Sequence, residues 1–253
     1  MSSFSLSNAR ICVAGATSTV ARATAARLAN AGAALHLAAR DEAEAERIGR
    51  DLQVRYDTTT SWSRIEITDP TSRTALLDTA ADAMGGMDAF LTAIGMLGTQ
   101  TRAEQDPDHL ASVVNVNFTA VAQLLEQAAD RFEAQSAGLI VALSSVAGDR
   151  GRPSNYAYGS AKAGLTAFLD GLRGRLHEHN VDVLTVKPGP VDTKMTFGMD
   201  DPPPLMADPE RVAADIVTAM EARKDVCYSP SIWRYIMTAI QLIPTSLFKK
   251  LDL

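Results

Sequence analysis

Tyr158 and Lys162 stand four residues apart in Tyr158-Gly159-Ser160-Ala161-Lys162, with Ser145 thirteen residues upstream of the tyrosine. Ala161, Ala163, Leu165, Ala167 and Phe168 give the stretch a helical pattern. A spacing of four then puts the phenol and the ammonium on one face, where both can act on one atom. A phenol, with a pKa of about 10, is a poor proton donor whose anion is scarce at neutral pH, and a neighbouring ammonium lowers that value. A tyrosine tuned in this way can serve as general acid or base. The pair alone is weak grounds for chemistry, because a surface lysine beside a packing tyrosine shows the same spacing.

The elements that must position these groups read as alternating strands and helices. Ile11-Cys12-Val13-Ala14 is a short apolar strand, Gly15 to Ala21 a tight loop, and the Ala-rich stretch to Asn30 a helix closed by Gly32. Such a loop aims backbone N–H groups and a helix N-terminus at a phosphate, which Gly15, Thr17, Ser18, Thr19 and Val20 would line. Thr19 and Ala21 stand where the dinucleotide pattern has its second and third glycines, so the loop reads equally well as a tight turn without a ligand. The second strand, Leu35 to Arg40, ends on Ala39-Arg40. An acidic residue there would accept from the ribose 2′-hydroxyl of NAD, whereas a guanidinium suits a 2′-phosphate and favours NADPH; the alternative is a solvated arginine. His36, inside that strand, reads as a packed or edge residue.

Helical sequence from Glu42 to Leu52 leads to a third strand around Arg64-Ile65-Glu66-Ile67. Asp69 then caps a helix that has Pro70 at its first position and ends near Gly85-Gly86. Ala89 to Gly95 is a fourth strand running into a loop. Pro107 to Gln135 is helical with Asn115 and Asn117 inside it, where propensity disfavours asparagine and a role for the amide has to be considered. Leu139 to Leu143 is a continuous apolar run, the pattern of a strand buried on both faces. It delivers Ser144 and Ser145 at its carboxyl end, where open parallel sheets place ligands. Val181 to Val186 is a sixth strand, followed by Lys187-Pro188-Gly189-Pro190-Val191-Asp192-Thr193. The alternation predicts an α/β fold, a doubly wound, Rossmann-like parallel sheet forming a single domain over 1–253.

Composition narrows the classes of function. The 253 residues carry a net charge of −6, with 46% hydrophobic and 21% charged side chains. That balance fits a globular domain with a substantial core and argues against a nucleic-acid binder, which carries a basic stripe. Cys12 and Cys227 lie in apolar runs with no metal-ligand or Cys-x-x-Cys spacing, and read as buried and reduced; no metal is expected. Met1 to Arg10 lacks the basic start and apolar block of a signal peptide, and no run reaches the roughly 20 apolar residues of a membrane span. A cytoplasmic location is expected.

In order and spacing these stretches resemble the short-chain dehydrogenase/reductase family over nearly the whole chain. The family's cofactor loop corresponds to Gly15 through Ala21, its helix asparagine to Asn117, its catalytic serine to Ser145, its Tyr-x-x-x-Lys to Tyr158 and Lys162, and its Pro-Gly turn to Pro188, Gly189, Val191 and Thr193. The resemblance implies hydride chemistry with a nicotinamide cofactor. Ser145 would hydrogen-bond the substrate carbonyl, Tyr158 would donate the proton, Lys162 would lower the tyrosine pKa and hold the nicotinamide ribose, and Asn117 would position a water for proton relay. It further implies cofactor contacts at Ile67 and Gly95, and a homodimer or homotetramer. Two departures mark a divergent branch: Thr92-Ala93-Ile94-Gly95 replaces the family's Asn-Asn-Ala-Gly, and the phosphate loop keeps one glycine of three.

Ser144 to Ser160, Ile94 to Gly98 and the segment from Trp233 to Leu251 resemble more narrowly a branch of the family that reduces a keto-sugar carried on a polyprenyl phosphate. A water-soluble hydroxy or keto compound is the alternative substrate, and a non-catalytic NADPH-binding regulator a further reading. Residues 194–253 are expected to form a substrate lid, around Met195 to Asp208, and an amphipathic tail. In the tail Ile232, Ile236, Ile240 and Ile243 fall at helical spacing, Pro244 ends the helix, and Leu247, Phe248 and Leu251 face Lys249 and Lys250. Two readings stay open for 231–253: an interfacial membrane anchor or prenyl-chain groove, or a tail docked on the domain or a partner subunit. Arg150 and Arg152 read either as loop arginines or as contacts for a substrate phosphate.

Overall fold

The computed structural model describes residues 3–193 and 205–251. The lid expected around Met195 to Asp208 lies for the most part outside the described residues. In chain order the elements are β1 (Arg10–Ala14), α1 (Thr19–Asn30), β2 (Ala34–Ala39), α2 (Glu42–Tyr56), β3 (Thr60–Arg64), α3 (Pro70–Met84), β4 (Ala89–Thr92), α4 (Gln100–Ala103) and α5 (Pro107–Val114). A π-helical segment (Asn115–Thr119), α6 (Ala120–Gln135), β5 (Gly138–Leu143), a 3₁₀ turn (Val146–Gly148), α7 (Tyr156–Leu176) and β6 (Val181–Pro188) follow. The chain continues with α8 (Pro209–Glu221), β7 (Val226–Ser229), α9 (Ile232–Leu242) and α10 (Thr245–Phe248).

The strands pair in parallel in the order β3-β2-β1-β4-β5-β6-β7. The order reverses between β1 and β4, which opens a crevice at their carboxyl ends. Alternate residues of each central strand feed opposite layers. Ile11, Val13, Leu91, Leu139 and Val141 pack with Leu28, Ile216 and Met220, while Cys12, Phe90, Ile140 and Ala142 pack with Leu124, Phe132 and Leu169. Both faces being covered is why β1, β4 and β5 are continuously apolar instead of alternating. Burying each large side chain of these layers stabilises the fold by about 1.5–3 kcal/mol.

Local chemistry sets the element ends. Asp69 Oδ1 accepts from Thr71 N–H at 3.0 Å with Pro70 next in the helix, and Gly85 closes α3 with φ +69°. The third strand is Thr60–Arg64, earlier than the Arg64–Ile67 expected from the apolar residues: it is an edge strand of polar alternation, and Ile65 and Ile67 are buried beyond its end. α2 runs past Leu52 to Tyr56, where Asp57 turns left-handed. Pro107 to Gln135 is helical throughout but widens to π geometry at Asn115–Thr119. His36 is packed, fully buried, with Ser61 and Ser63 on the neighbouring strand each 2.8 Å from a ring nitrogen; burial lowers its pKa to about 4. Cys12 and Cys227 are both buried and free, and burial raises both thiol pKa values.

Candidate active site

β5 ends on two serines with different surroundings. Ser144 is buried, donating to Lys162 O at 3.0 Å and sharing a 2.8 Å hydrogen bond with Thr166, so it ties the strand end to α7. Ser145 turns the other way into the crevice and caps the 3₁₀ turn, its Oγ accepting from Ala147 N–H at 3.1 Å. That turn lies hard against α7. A Cβ on Gly148 would come within 2.7 Å of the Ala163 nitrogen and the Lys162 carbonyl carbon, and one on Gly159 within 2.9 Å of Ala147 O. Two glycines therefore let the serine turn and the tyrosine helix approach backbone to backbone. The motif reading passed over both. Their signal is a glycine inside a helix at Gly159, which costs about 1 kcal/mol of helix propensity against alanine unless something else requires it.

Tyr158 and Lys162 share the inner face of α7, with Nζ 5.8 Å from the phenol ring centroid. Burial pushes the Tyr158 pKa up to about 12, and the Ser145 hydroxyl pulls it the other way. Burial lowers Lys162 to about 8, and its Nζ donates to Leu143 O at 2.8 Å. The net Tyr158 pKa is raised where a lowered one was expected, because burial outweighs the lowering groups. Desolvation dominates, the ammonium donates to a backbone carbonyl, and the Ser145 hydroxyl lowers the tyrosine value.

Asn117 lies within the π segment, fully buried. Its Nδ2 donates to Met96 O at 2.7 Å and Val113 O at 2.8 Å, and its Oδ1 accepts from Met96 N–H at 3.1 Å. Both amide hydrogens are spent on backbone, so this side chain holds the loop after β4 in place. Gly95 fits beneath it: a Cβ there would meet Asn117 Oδ1 at 2.8 Å and Lys162 Nζ at 3.5 Å.

One cavity of about 750 Å³ runs along the carboxyl ends of the strands. Gly15, Thr17, Ser18, Thr19, Val20, Arg40, Ile67, Gly95, Ser145, Tyr158, Lys162, Pro188, Gly189, Val191 and Thr193 all line it, whereas Asn117 stands behind the wall. Glu66, Met96, Val116, Val146 and Asn155, which no sequence motif singles out, also contribute, as does Arg152, one of the two arginines open to a substrate-phosphate reading. Gly15 has φ +81°, and a Cβ on it would lie 3.0 Å from the Ala93 carbonyl carbon and the Ile94 nitrogen, so only glycine keeps this loop against β4. Ser18 caps α1, whose first turn carries no acidic side chain. Among the described residues the charged lining groups are three cations, Arg40, Lys162 and Arg152, and one anion, Glu66, in a chain with net charge −6. A narrow glycine turn, an uncompensated helix N-terminus and the Arg40 guanidinium at the β2 end fit a dinucleotide with its phosphates.

The tail packs onto the serine loop. Trp233 and Met237 are buried against Val146, with Tyr228, Ile236 and Ile240 partly buried beside them. Arg150 Nη1 donates to Gln241 O at 2.9 Å, its guanidinium lies 4.2 Å from the Phe248 ring centroid, and Gln241 Nε2 donates to Asp149 O at 3.1 Å. The buried positions of α9 are Trp233 and Met237, with Ile236 and Ile240 half-buried beside them, whereas Ile232 is 48% exposed. Among the described residues no helix is long and apolar enough to cross a membrane.

The family model described as short chain dehydrogenase matches residues 9–202. An uncharacterized oxidoreductase of Mycobacterium tuberculosis (strain H37Rv) is 34% identical over 243 residues, covering 96% of this chain and 97% of its own length. Another, from the mprA 5′ region of Streptomyces coelicolor, is 36% identical over 242 residues, covering 94% of each chain. The structure of a short-chain dehydrogenase from Sphingobium yanoikuyae in complex with NADPH superposes with a TM-score of 0.81 at 22% identity, covering 93% of this chain and 96% of that one. Fold, crevice and sequence agree, and this chain is an NAD(P)-binding oxidoreductase of the short-chain dehydrogenase/reductase family.

Proposed function

We propose that the protein is an NADPH-dependent ketone reductase in which Tyr158 is the proton donor, Ser145 the second hydroxyl on the carbonyl oxygen, and Lys162 the cation beneath them. The observation that carries this reading is that these three side chains line the same cavity as the Gly15–Val20 loop and Arg40. Reduced nicotinamide supplies the hydride. Hydride addition builds negative charge on the carbonyl oxygen, and two preplaced hydroxyls lower that barrier without reorganisation. With its pKa raised to about 12, Tyr158 holds its proton firmly until the oxygen becomes a stronger base than the phenolate. Lys162, with its pKa near 8, stays mainly cationic at neutral pH and opposes the cost of the phenolate left behind. Arg40 is assigned to the 2′-phosphate of NADPH at the adenosine end, and Asn117 to holding the Gly95-Met96 wall of the nicotinamide pocket.

For the substrate, the segments around Ser145, Gly95 and the tail resemble decaprenylphosphoryl-2-keto-ribose reductase, and we extend the proposal to a 2-keto-pentofuranose on a polyprenyl phosphate. Exposed Tyr235, Leu242 and Leu247, at 71%, 77% and 53%, with Lys249 and Lys250 beside them, support a lipid-facing tail at the inner face of a membrane. The seating of Trp233 and Met237 on Val146 favours a second reading, a reductase of small ketones whose tail is packing. A homodimer or homotetramer belongs to both. The test is NADPH oxidation with the lipid-linked keto-sugar beside water-soluble ketones, with NADH as control. Turnover of the lipid-linked sugar, lost in Tyr158→Phe, supports the first; turnover of short ketones alone selects the second; Tyr158→Phe at full rate overturns the catalytic assignment.

A further inference from the structure

Arg152 carries a guanidinium that the fold half-buries and that has no salt-bridge partner among the described residues. It stands between the 3₁₀ turn and α7, on the wall of the cavity that holds Ser145 and Tyr158. Its Nη2 reaches the thioether of Met237 at 3.6 Å, and its Nε is buried with no hydrogen-bond partner among the described residues. The carboxylate near enough to act on it is Asp149, and that group is already engaged: Lys187 Nζ donates to Oδ1 at 2.6 Å and Tyr228 OH to Oδ2 at 2.9 Å. Burial accordingly pulls the Arg152 pKa below its ordinary value. A guanidinium stays protonated in proteins, so this charge persists and needs a counter-charge.

Two neighbours are in the same condition. Asn155, whose N–H donates to Arg152 O at 3.2 Å, lines the cavity with a buried, unpartnered Oδ1. Trp233 Nε1 is buried and unpartnered against Gly189, another lining residue. Arg152 and Asn155 thus leave two polar groups open on one side of the cavity, where a ligand can complete the hydrogen bonding, while the Trp233 indole lies behind Gly189. Arg150, two residues earlier, shows the contrast, since its guanidinium is consumed by the carbonyls and Phe248 of the tail. The phosphates of the cofactor do not answer to Arg152. The Gly15–Val20 loop and Arg40 lie at the β1 and β2 ends, and β2 is three strand spacings, about 14 Å, from β5.

We propose that Arg152 anchors an oxyanion carried by the substrate, a phosphate or a carboxylate, so that the enzyme selects ketones bearing a negative charge. The planar fork of a guanidinium suits two oxygens of such a group. This deepens the ketone-reductase reading and rests on it.

The test is calorimetric titration of the NADPH-bound protein with phenyl phosphate, phenylacetate and neutral benzyl alcohol. At least one anion is expected to bind ten times more tightly than the alcohol, and the tighter of the two tells phosphate from carboxylate. Arg152→Met is expected to weaken that anion roughly ten- to a hundredfold, leaving NADPH and the alcohol within about twofold as a check on folding, and Arg152→Lys to recover part of the loss. Three probes bound alike, or an anion indifferent to Arg152→Met, would overturn the assignment. Since binding is read without turnover, a protein that discriminates anions yet oxidises NADPH with no ketone keeps the Arg152 site and loses the reductase reading.

Discussion

Asn117 clamps Met96 through both of its backbone groups, donating to the carbonyl at 2.7 Å and accepting from the N–H at 3.1 Å. The clamp sits where the helix widens to π geometry, and the second amide hydrogen goes back to Val113 O at 2.8 Å. A side chain that spans a helix and a strand loop fixes the loop's height above Lys162. This makes Asn117 a positioning residue, whereas the family resemblance alone suggests a water relay.

Removing that clamp should cost stability as well as rate. Asn117→Ala strands a backbone donor and acceptor of Met96, and each partly buried orphan costs about 1–3 kcal/mol, so about 2–6 kcal/mol should be lost in urea unfolding. A variant that loses activity but unfolds within about 0.5 kcal/mol of the parent would return Asn117 to a purely chemical role.

The glycines of α7 offer a sharper comparison, because the same substitution meets opposite surroundings along one helix. Gly171 and Gly174 have nothing within 4 Å of an added Cβ, whereas at Gly159 the Cβ meets Ala147 O at 2.9 Å. Gly171→Ala and Gly174→Ala should each stabilise by about 0.5–1 kcal/mol. Gly159→Ala should destabilise, and should lower kcat by shifting Ser145 away from Tyr158. Equal shifts in thermal midpoint for all three would show that the turn does not need its close approach.

The comparison of Gly159 with Tyr158 also shows what a sequence can disclose. Tyr158, Lys162, Ser145 and the Gly15 loop were legible because chemistry requires particular residue types at particular spacings, and the continuous apolar runs of β1, β4 and β5 announced a sheet covered on both faces. Trp62 and the serines of β3 were not legible as a strand. An edge strand is held by ladder bonds and by His36, and carries no apolar period. Arg152 and Met237 lie 85 residues apart in the chain, and nothing in the pattern of either announces that a thioether would stand beside the guanidinium on the cavity wall.

His36 should make the fold sensitive to mild acid. Its folded pKa, lowered to about 4, lies below the ordinary value of 6.5, so between those values the unfolded chain binds the proton and the native protein does not. Stability from this residue is therefore complete above about pH 6.5 and drains away as pH falls toward 4, by roughly 2 kcal/mol between pH 6.5 and 5. His36→Gln keeps a polar partner for Ser61 and Ser63 and removes the titration. Urea midpoints for the variant should fall less across that window than those of the parent, and parallel profiles would assign the acid sensitivity elsewhere.

Lys162 works in the opposite direction, holding a charge that the fold would be more stable without. Its pKa, brought down from 10.5 to about 8 by burial, means that the native state resists a proton that the unfolded chain keeps. Between pH 8 and 10.5 stability should rise with pH on this account. At neutral pH Lys162→Met should stabilise the fold by about 1–2 kcal/mol, after discounting the hydrogen bond lost to Leu143 O. The same variant should bind NADPH poorly, since the cation facing the nicotinamide end is gone. In the parent, NADPH affinity measured by fluorescence should hold below pH 8 and then fall as the ammonium deprotonates, by up to about tenfold per pH unit. If Lys162→Met melts earlier than the parent at pH 7, or if the parent's affinity is flat through pH 9, the buried ammonium is neither strained nor in contact with the cofactor. Stability gained with binding lost would instead identify Lys162 as a charge kept for function against the preference of the fold.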